Sequence, residues 1–230
     1  MNVSMEKIMG LILLAPGALL AISLHEAAHG YVAHRLGDST AKFLGRLTLN
    51  PFKHIDPIGS VLVPTVLYLF SGMMFGWAKP VPVNVLNLGN PKRDMALVAV
   101  AGPAANLIIA TLSSILLYLV AFVARTMPIG EGAFHTVMVP LINILFFAII
   151  FNLFLMMFNL IPIPPLDGGR ILVGLLPNRQ AHAVAAIEPY GFFILIGLIV
   201  LGVTRVLWVP MGMLIYLMVP KSMMPFLIFG

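Results

Sequence analysis

His25, Glu26 and His29 stand in LLAISLHEAAHGYVAHRLG, residues 19–37, a stretch otherwise composed for lipid. Positions i and i+4 of a helix share one face, a turn apart. Both imidazoles can therefore offer a ring nitrogen to one metal ion, and Glu26, one residue after the first histidine, can reach a water on that metal. This is the H-E-x-x-H arrangement of zinc proteases, two ligands and a general base on one turn. A catalytic zinc takes three protein ligands and keeps a fourth position open. The bland alternative is a polar cluster that merely binds helices together. A charged side chain at the centre of a membrane helix costs about 2.5–3.5 kcal/mol even on lenient insertion scales. Residues that survive such a cost usually serve a function.

With no cysteine in the chain, a third ligand must be His, Asp or Glu. Glu6, Asp38, Asp94 and Glu131 fall near helix ends or in loops, and Asp56 lies in the turn-like NPFKHIDPIG. Asp167 differs. It sits in FNLIPIPPLDGGRIL, just past a long apolar run, where Pro162, Pro164 and Pro165 stop the helix. Gly168 and Gly169 are expected to let the backbone bend tightly there. Breaks of this kind in membrane proteins line cavities.

The elements that must position these groups follow from composition. Of 230 residues, 60% are hydrophobic and 9% charged, and mean hydropathy is +1.05. Soluble domains carry about 25% charged residues, so a water-soluble globule is excluded. The expected fold is an all-α polytopic membrane protein, a single membrane-embedded domain over 1–230. The net charge of +5 orients loops. No stripe of aromatic and basic residues argues for nucleic acid. The N-terminus imitates a signal peptide, but its apolar run continues into HEAAH without a clear cleavage site, and it is expected to be retained.

Apolar runs predict helices at about 8–35, 95–124, 137–160, 190–207 and 209–228, each near the roughly 20 residues that cross hydrocarbon. With a sixth run at 58–76, five to six transmembrane helices are expected. That sixth run holds Pro57 at its edge, then Gly59, Pro64, Gly72 and Gly76, a poor recipe for one straight helix. Charge decides how to treat it. With Lys221, which lies inside the last apolar run, left aside, the other basic residues divide six to six between the two sides if 58–76 crosses; if it enters and returns, nine fall inside against three outside. Cytoplasmic loops favour Lys and Arg, so re-entry is expected. The helices at 8–35 and 137–160 then run parallel, which lets Asp167 reach the depth of the two histidines. The segments 41–51 and 77–88 alternate or carry prolines in a way that fits short β-strands, with plain membrane-surface loops as the alternative.

HEAAH in the first helix, AGPAAN at 101–106, GWAKPVPVN at 76–84 and NLIPIPPLDGGR at 159–170 resemble the site-2 protease family of intramembrane zinc metalloproteases, the peptidase M50 type. The likeness runs from about residue 20 to 175. It implies that His25, His29 and Asp167 bind one Zn2+ and that Glu26 is the general acid/base. It also implies that Asn159 helps hold the substrate backbone. Asn106 is a candidate for substrate contact or for a bond between helices. Many relatives add a PDZ or a CBS domain, and this chain has room for neither.

The expected activity is hydrolysis of peptide bonds in or near transmembrane segments of membrane proteins. The partners would be a transmembrane substrate and the lipid bilayer. The expected location is a multi-pass position in the cell membrane with the active site nearer the cytoplasm. The alternatives are a membrane metal-binding or transport protein using the same cluster, and an inactive relative serving as scaffold. Neither explains an acid placed as a base at Glu26.

Overall fold

A computed structural model of the chain describes residues 5–71, 76 and 79–227. Among the described residues, seven α-helices of eight residues or more follow the first, which is α1, Met5–Arg35. They are α2 (Val63–Ser71), α3 (Pro91–Thr126), α4 (Val139–Asn159), α5 (Asp167–Leu175), α6 (Asn178–Ala185), α7 (Gly191–Val200) and α8 (Trp208–Met218). Three stretches among the described residues are long and apolar enough to cross a membrane: Pro91–Thr126, Glu131–Asn159 and Asn178–Val200. With 31 residues, α1 is about 46 Å long at a rise of 1.5 Å per residue.

The core lies between α3 and α4. Ala110, Leu117 and Ala121 of α3 pack with Ile142, Phe147, Ile149 and Leu153 of α4, and Met211, Val219 and Met223 close the far end. The outward face of α3 is also apolar, with Leu112, Ile115, Leu119 and Phe122 all exposed. A helix that is apolar all round is surrounded by apolar material, so the solvent for this face is lipid. Between such helices, polar groups act as links. Ser114 Oγ donates to the Met218 carbonyl at 2.7 Å, and Asn143 Nδ2 donates to the Phe226 carbonyl at 3.0 Å.

The contacts of α1 give its direction. Gly17 lies against Ala148 of α4, and further along α1 His25 reaches Asp167, beyond the end of α4. Helices α1 and α4 therefore run parallel. Helix α3 runs opposite to α1, because His25 meets Asn106 while His29 meets Val98.

Two expectations are corrected. Among the described residues there is no strand, at 41–51 or at 77–88; Trp77 and Ala78 of the second segment lie outside the described residues. The first segment folds on itself. Thr40–Phe43 form one helical turn, Gly45 takes a φ of +64°, and the Arg46 N–H donates back to the Ala41 carbonyl. The second forms no helical turn over residues 79–84, and two of its N–H groups go to carboxylates while that of Lys79 goes to the His54 carbonyl. Val81 N–H donates to Glu26 and Asn84 N–H to Asp38, while Pro80 and Pro82 have none to give.

Asp38 organises that region. It is fully buried and accepts from the Thr40 hydroxyl, the Asn87 amide and the Asn84 and Thr40 N–H groups. Burial pushes its carboxyl up, but these hydrogen bonds outweigh burial and hold it below the usual carboxylate range. The ion thereby staples the end of α1 to the loop before α3.

The other correction concerns the C-terminal helices. The run at 190–207 is not one helix. α7 ends at Val200, Gly202 adopts a φ of +70°, and Val203–Leu207 turn more tightly. A left-handed glycine of this kind closes off a helix by returning N–H groups to the last carbonyls, here Leu201 to Gly197 and Gly202 to Ile199. The run at 209–228 likewise stops at Met218, before Pro220, and Pro225 follows within a short tight turn; residue 228 lies outside the described residues. In the 58–76 segment, Asp56 caps the Ile58 and Gly59 N–H groups, a wide π-type turn spans Pro57–Leu62, and α2 follows. Gly76 returns against Gly59 and Pro64, and the Lys79 N–H donates to the His54 carbonyl at 3.0 Å.

Candidate metal centre

Three elements converge on one point. α1 carries His25 and His29 one turn apart. α5 begins with Asp167, preceded by the proline-broken stretch from Leu160 to Leu166. α3 supplies the floor at Gly102. His25 Nε2 lies 3.2 Å from Asp167 Oδ2, His29 Nε2 lies 3.4 Å from the same oxygen, and the two Nε2 atoms are 3.0 Å apart. His25 and Asp167 are buried and His29 partly so.

Gly168 and Gly169 are needed for a different reason from the one expected. Both are helical, with no positive φ. A Cβ at Gly168 would lie 2.5 Å from the Ile161 carbonyl oxygen, and one at Gly169 would lie 2.5 Å from the Ile163 carbonyl carbon. They let the first turn of α5 press against the preceding turn, and that contact sets the place of Asp167. Gly102 acts similarly. A Cβ there would stand 2.5 Å from both His25 Cε1 and His29 Nε2. Gly102→Ala is expected to push both rings off their positions. Overpacking of this kind costs about 1–3 kcal/mol, and the expected result is at least about ten-fold weaker metal retention, measured by competition with a chelator.

The proton positions can be deduced. His25 Nδ1 is 2.6 Å from Asn106 Oδ1, and His29 Nδ1 is 2.7 Å from the Val98 carbonyl. The Val98 carbonyl only accepts, so His29 Nδ1 carries a hydrogen, and His25 Nδ1 carries one towards Asn106 Oδ1; in the neutral rings each Nε2 then presents a lone pair. With both rings neutral in this form, two nitrogen lone pairs and a carboxylate oxygen face one another. Asp167 Oδ2 is a buried atom that receives no hydrogen bond. Lone pairs crowded this way repel unless a cation lies among them. A tetrahedral ion with bonds of about 2.0–2.2 Å separates its ligand atoms by about 3.3 Å, close to the three distances seen. His25, His29 and Asp167 form the one such group of metal-binding side chains among the described residues.

Glu26 sits beside this group on α1, partly exposed. Its Oε2 accepts the Val81 N–H at 2.7 Å. Asn106 is fully buried, and its Nδ2 donates to Asn152 Oδ1 at 3.0 Å. Asn159 is partly buried at the end of α4, with Nδ2 donating to the Leu155 carbonyl. The other polar residues stand apart. His34 pairs with Ser39, His54 is held by the Thr48 carbonyl, and Arg170 lies 3.6 Å from Glu188. Sequence reasoning missed Val81 and Asn152. A backbone N–H leaves no trace in residue type. Asn152 did leave one: an amide in the middle of an apolar run asks for a partner.

Residues 13–201 match the sequence profile of Peptidase family M50. The chain belongs to that family. It is 41% identical over 196 residues to a protein of Bacillus subtilis provisionally named zinc metalloprotease YwhC, covering 83% of this chain and 81% of that one. It is 33% identical over 190 residues to the provisionally named zinc metalloprotease Rip2 of Mycolicibacterium smegmatis, covering 82% and 67%. The Rip2 of Mycobacterium tuberculosis strain H37Rv is 29% identical over 194 residues, covering 83% and 66%. No solved structure matches the chain. Family membership and the apolar helices make the M50 protein an integral membrane metalloprotease, as its motifs imply.

Proposed function

We propose that this M50 protein hydrolyses peptide bonds in or near transmembrane segments of other membrane proteins. His25, His29 and Asp167 would hold one zinc ion, and Glu26 would serve as general base and acid. The observation that carries this is the meeting of two histidine Nε2 atoms and an otherwise unbonded carboxylate oxygen at 3.0–3.4 Å. Zinc held there supplies Lewis acidity and a bound water of lowered pKa.

The chain's own groups do the rest. Glu26 takes up a proton on the way to the tetrahedral state and returns it to the leaving amine. The Val81 N–H holds its carboxylate in one orientation, so that little reorganisation is needed. Asn159, with Nδ2 committed to Leu155, keeps its amide oxygen to receive an N–H of the substrate backbone. Asn106 is assigned to supporting His25, since both ends of its amide are engaged inside the protein. A transmembrane substrate must unwind to expose a carbonyl, because its helix already uses the backbone groups.

We further place five to six spans in the membrane, with 58–76 entering and returning from the cytoplasmic side. The pairing of Lys79 with His54 and of Gly76 with Gly59 supports a return to the point of entry, as does the nine-to-three division of basic residues. We place the chain in the cell membrane, and the same topology puts the zinc group nearer the cytoplasm. A transporter would spread polar ligands along several helices of a pathway, whereas these ligands meet at one point.

The test uses the full chain reconstituted in phospholipid vesicles with single-span membrane proteins as substrates. Cleavage is expected with one zinc per chain, to be lost on treatment with phenanthroline, and to return on adding stoichiometric zinc. Protein that carries no metal, or cleavage indifferent to the chelator, overturns the proposal.

A further inference from the structure

A chain of buried amides runs from His25 into α4. His25 Nδ1 is 2.6 Å from Asn106 Oδ1. Asn106 Nδ2 is 3.0 Å from Asn152 Oδ1. Asn152 Nδ2 is 2.8 Å from the Ala148 carbonyl. Asn106 and Asn152 are 0% and 1% exposed, so water cannot substitute for a lost partner.

An amide between two neighbours can point either way, and by itself Asn106 does not decide what His25 must do. If it turned over, its NH2 would face Nδ1, which would then have to accept. His25 would carry its hydrogen on Nε2, the atom that faces His29 and Asp167, and that nitrogen could not bind a metal. The far end of the chain removes the choice. The Ala148 carbonyl is only an acceptor, so Asn152 must point its NH2 there and its oxygen towards Asn106. Asn106 must then donate to Asn152 and accept from His25.

We propose that Asn152 is a positioning residue for the metal site: acting through Asn106, it holds His25 in the tautomer that leaves Nε2 free for the ion. This rests on His25 being a zinc ligand. Asn152 touches neither metal nor substrate. It lies on a different helix from either histidine, and its action passes through three hydrogen bonds whose direction is set by one backbone carbonyl. His29 needs no such device, because its Nδ1 meets the Val98 carbonyl directly.

Asn152→Leu keeps the side-chain volume and removes both the acceptor and the donor. In detergent-purified full-length protein, zinc transfer to a chromogenic chelator is expected to be about 10–100-fold faster than in wild type, the range for lost outer partners of metal ligands. In metal-free protein carrying 15N-histidine, the His25 signals, assigned with His25→Gln, are expected to move from the Nδ1–H pattern towards Nε2–H. Asn152→Asp, whose neutral form has the same acceptor and donor, is expected to stay within about three-fold of wild type. In an Asn106→Leu background, Asn152→Leu is expected to add nothing, since the connection is already cut. Wild-type zinc retention with an unchanged His25 signal in Asn152→Leu overturns the proposal, and so does an equal effect in the Asn106→Leu background. Should Asn152→Leu fail to fold, Asn152→Asp decides, and a loss beyond ten-fold there overturns it. Wild-type protein without zinc would sink the metal site itself, an outcome distinct from these.

Discussion

Glu26→Gln is expected to abolish peptide hydrolysis while leaving one zinc per chain. The substitution keeps the size of the side chain and an oxygen that can still accept the Val81 N–H, so the loop before α3 stays docked on α1. It removes the group that takes and returns a proton. General acid–base catalysis contributes about 10²–10⁴-fold, and here one carboxylate is asked to act in both directions, so the loss is expected at the upper end. The measurement pairs single-turnover cleavage of a reconstituted membrane substrate with metal analysis of the same sample. A variant that still cleaves within ten-fold of wild type would remove Glu26 from the mechanism. A variant that loses both zinc and cleavage would make Glu26 part of the metal site. A transport or scaffold protein would tolerate the change, so this substitution also separates the classes.

Asp167→Asn is expected to empty the site without unfolding the protein. In the wild type, two histidine lone pairs and the carboxylate face inward, an arrangement a cation satisfies. In the variant an amide NH2 occupies the place of Oδ2 and can donate to either Nε2, so the cluster closes on itself. Zinc affinity is expected to fall by more than about 100-fold, beyond the 10–100-fold typical of outer partners. Thermal unfolding gives an independent reading. A ligand that binds only the folded state stabilises it in proportion to the logarithm of its concentration. Added zinc should therefore raise the Tm of stripped wild type and leave Asp167→Asn unmoved. Stoichiometric zinc in Asp167→Asn at the wild-type release rate would show that the third ligand lies elsewhere.

The parts of the site written in residue types were legible without coordinates. HEAAH offers two possible ligands and an acid beside them, because helical periodicity alone puts positions 25 and 29 on one face. Asp167 stood out as an acid beyond an apolar run, among prolines that must end a helix. The long apolar elements were legible because hydrocarbon demands length and hydropathy, and α1, α3 and α4 lie where those runs predicted. The two predicted strands failed for a reason no periodicity contains. Alternation and prolines mark a chain that is not helical, but whether such backbone becomes a strand depends on what takes its N–H groups. Here Glu26 and Asp38 take them. The C-terminal runs failed at Gly202, where hydropathy continues and the backbone turns.

Residue order alone thus set the solvent and the long helices and offered the candidate metal-binding and proton-carrying groups, since these depend on composition and on spacing along the chain. The tertiary structure alone decided that His25, His29 and Asp167 share one point, and that Gly102, Gly168 and Gly169 serve close approach. It also decided that both histidines present Nε2 and that Asn152 stands behind one of them. Those are relations between groups up to 142 positions apart along the chain, set by packing and by the direction of hydrogen bonds, which local residue order does not encode.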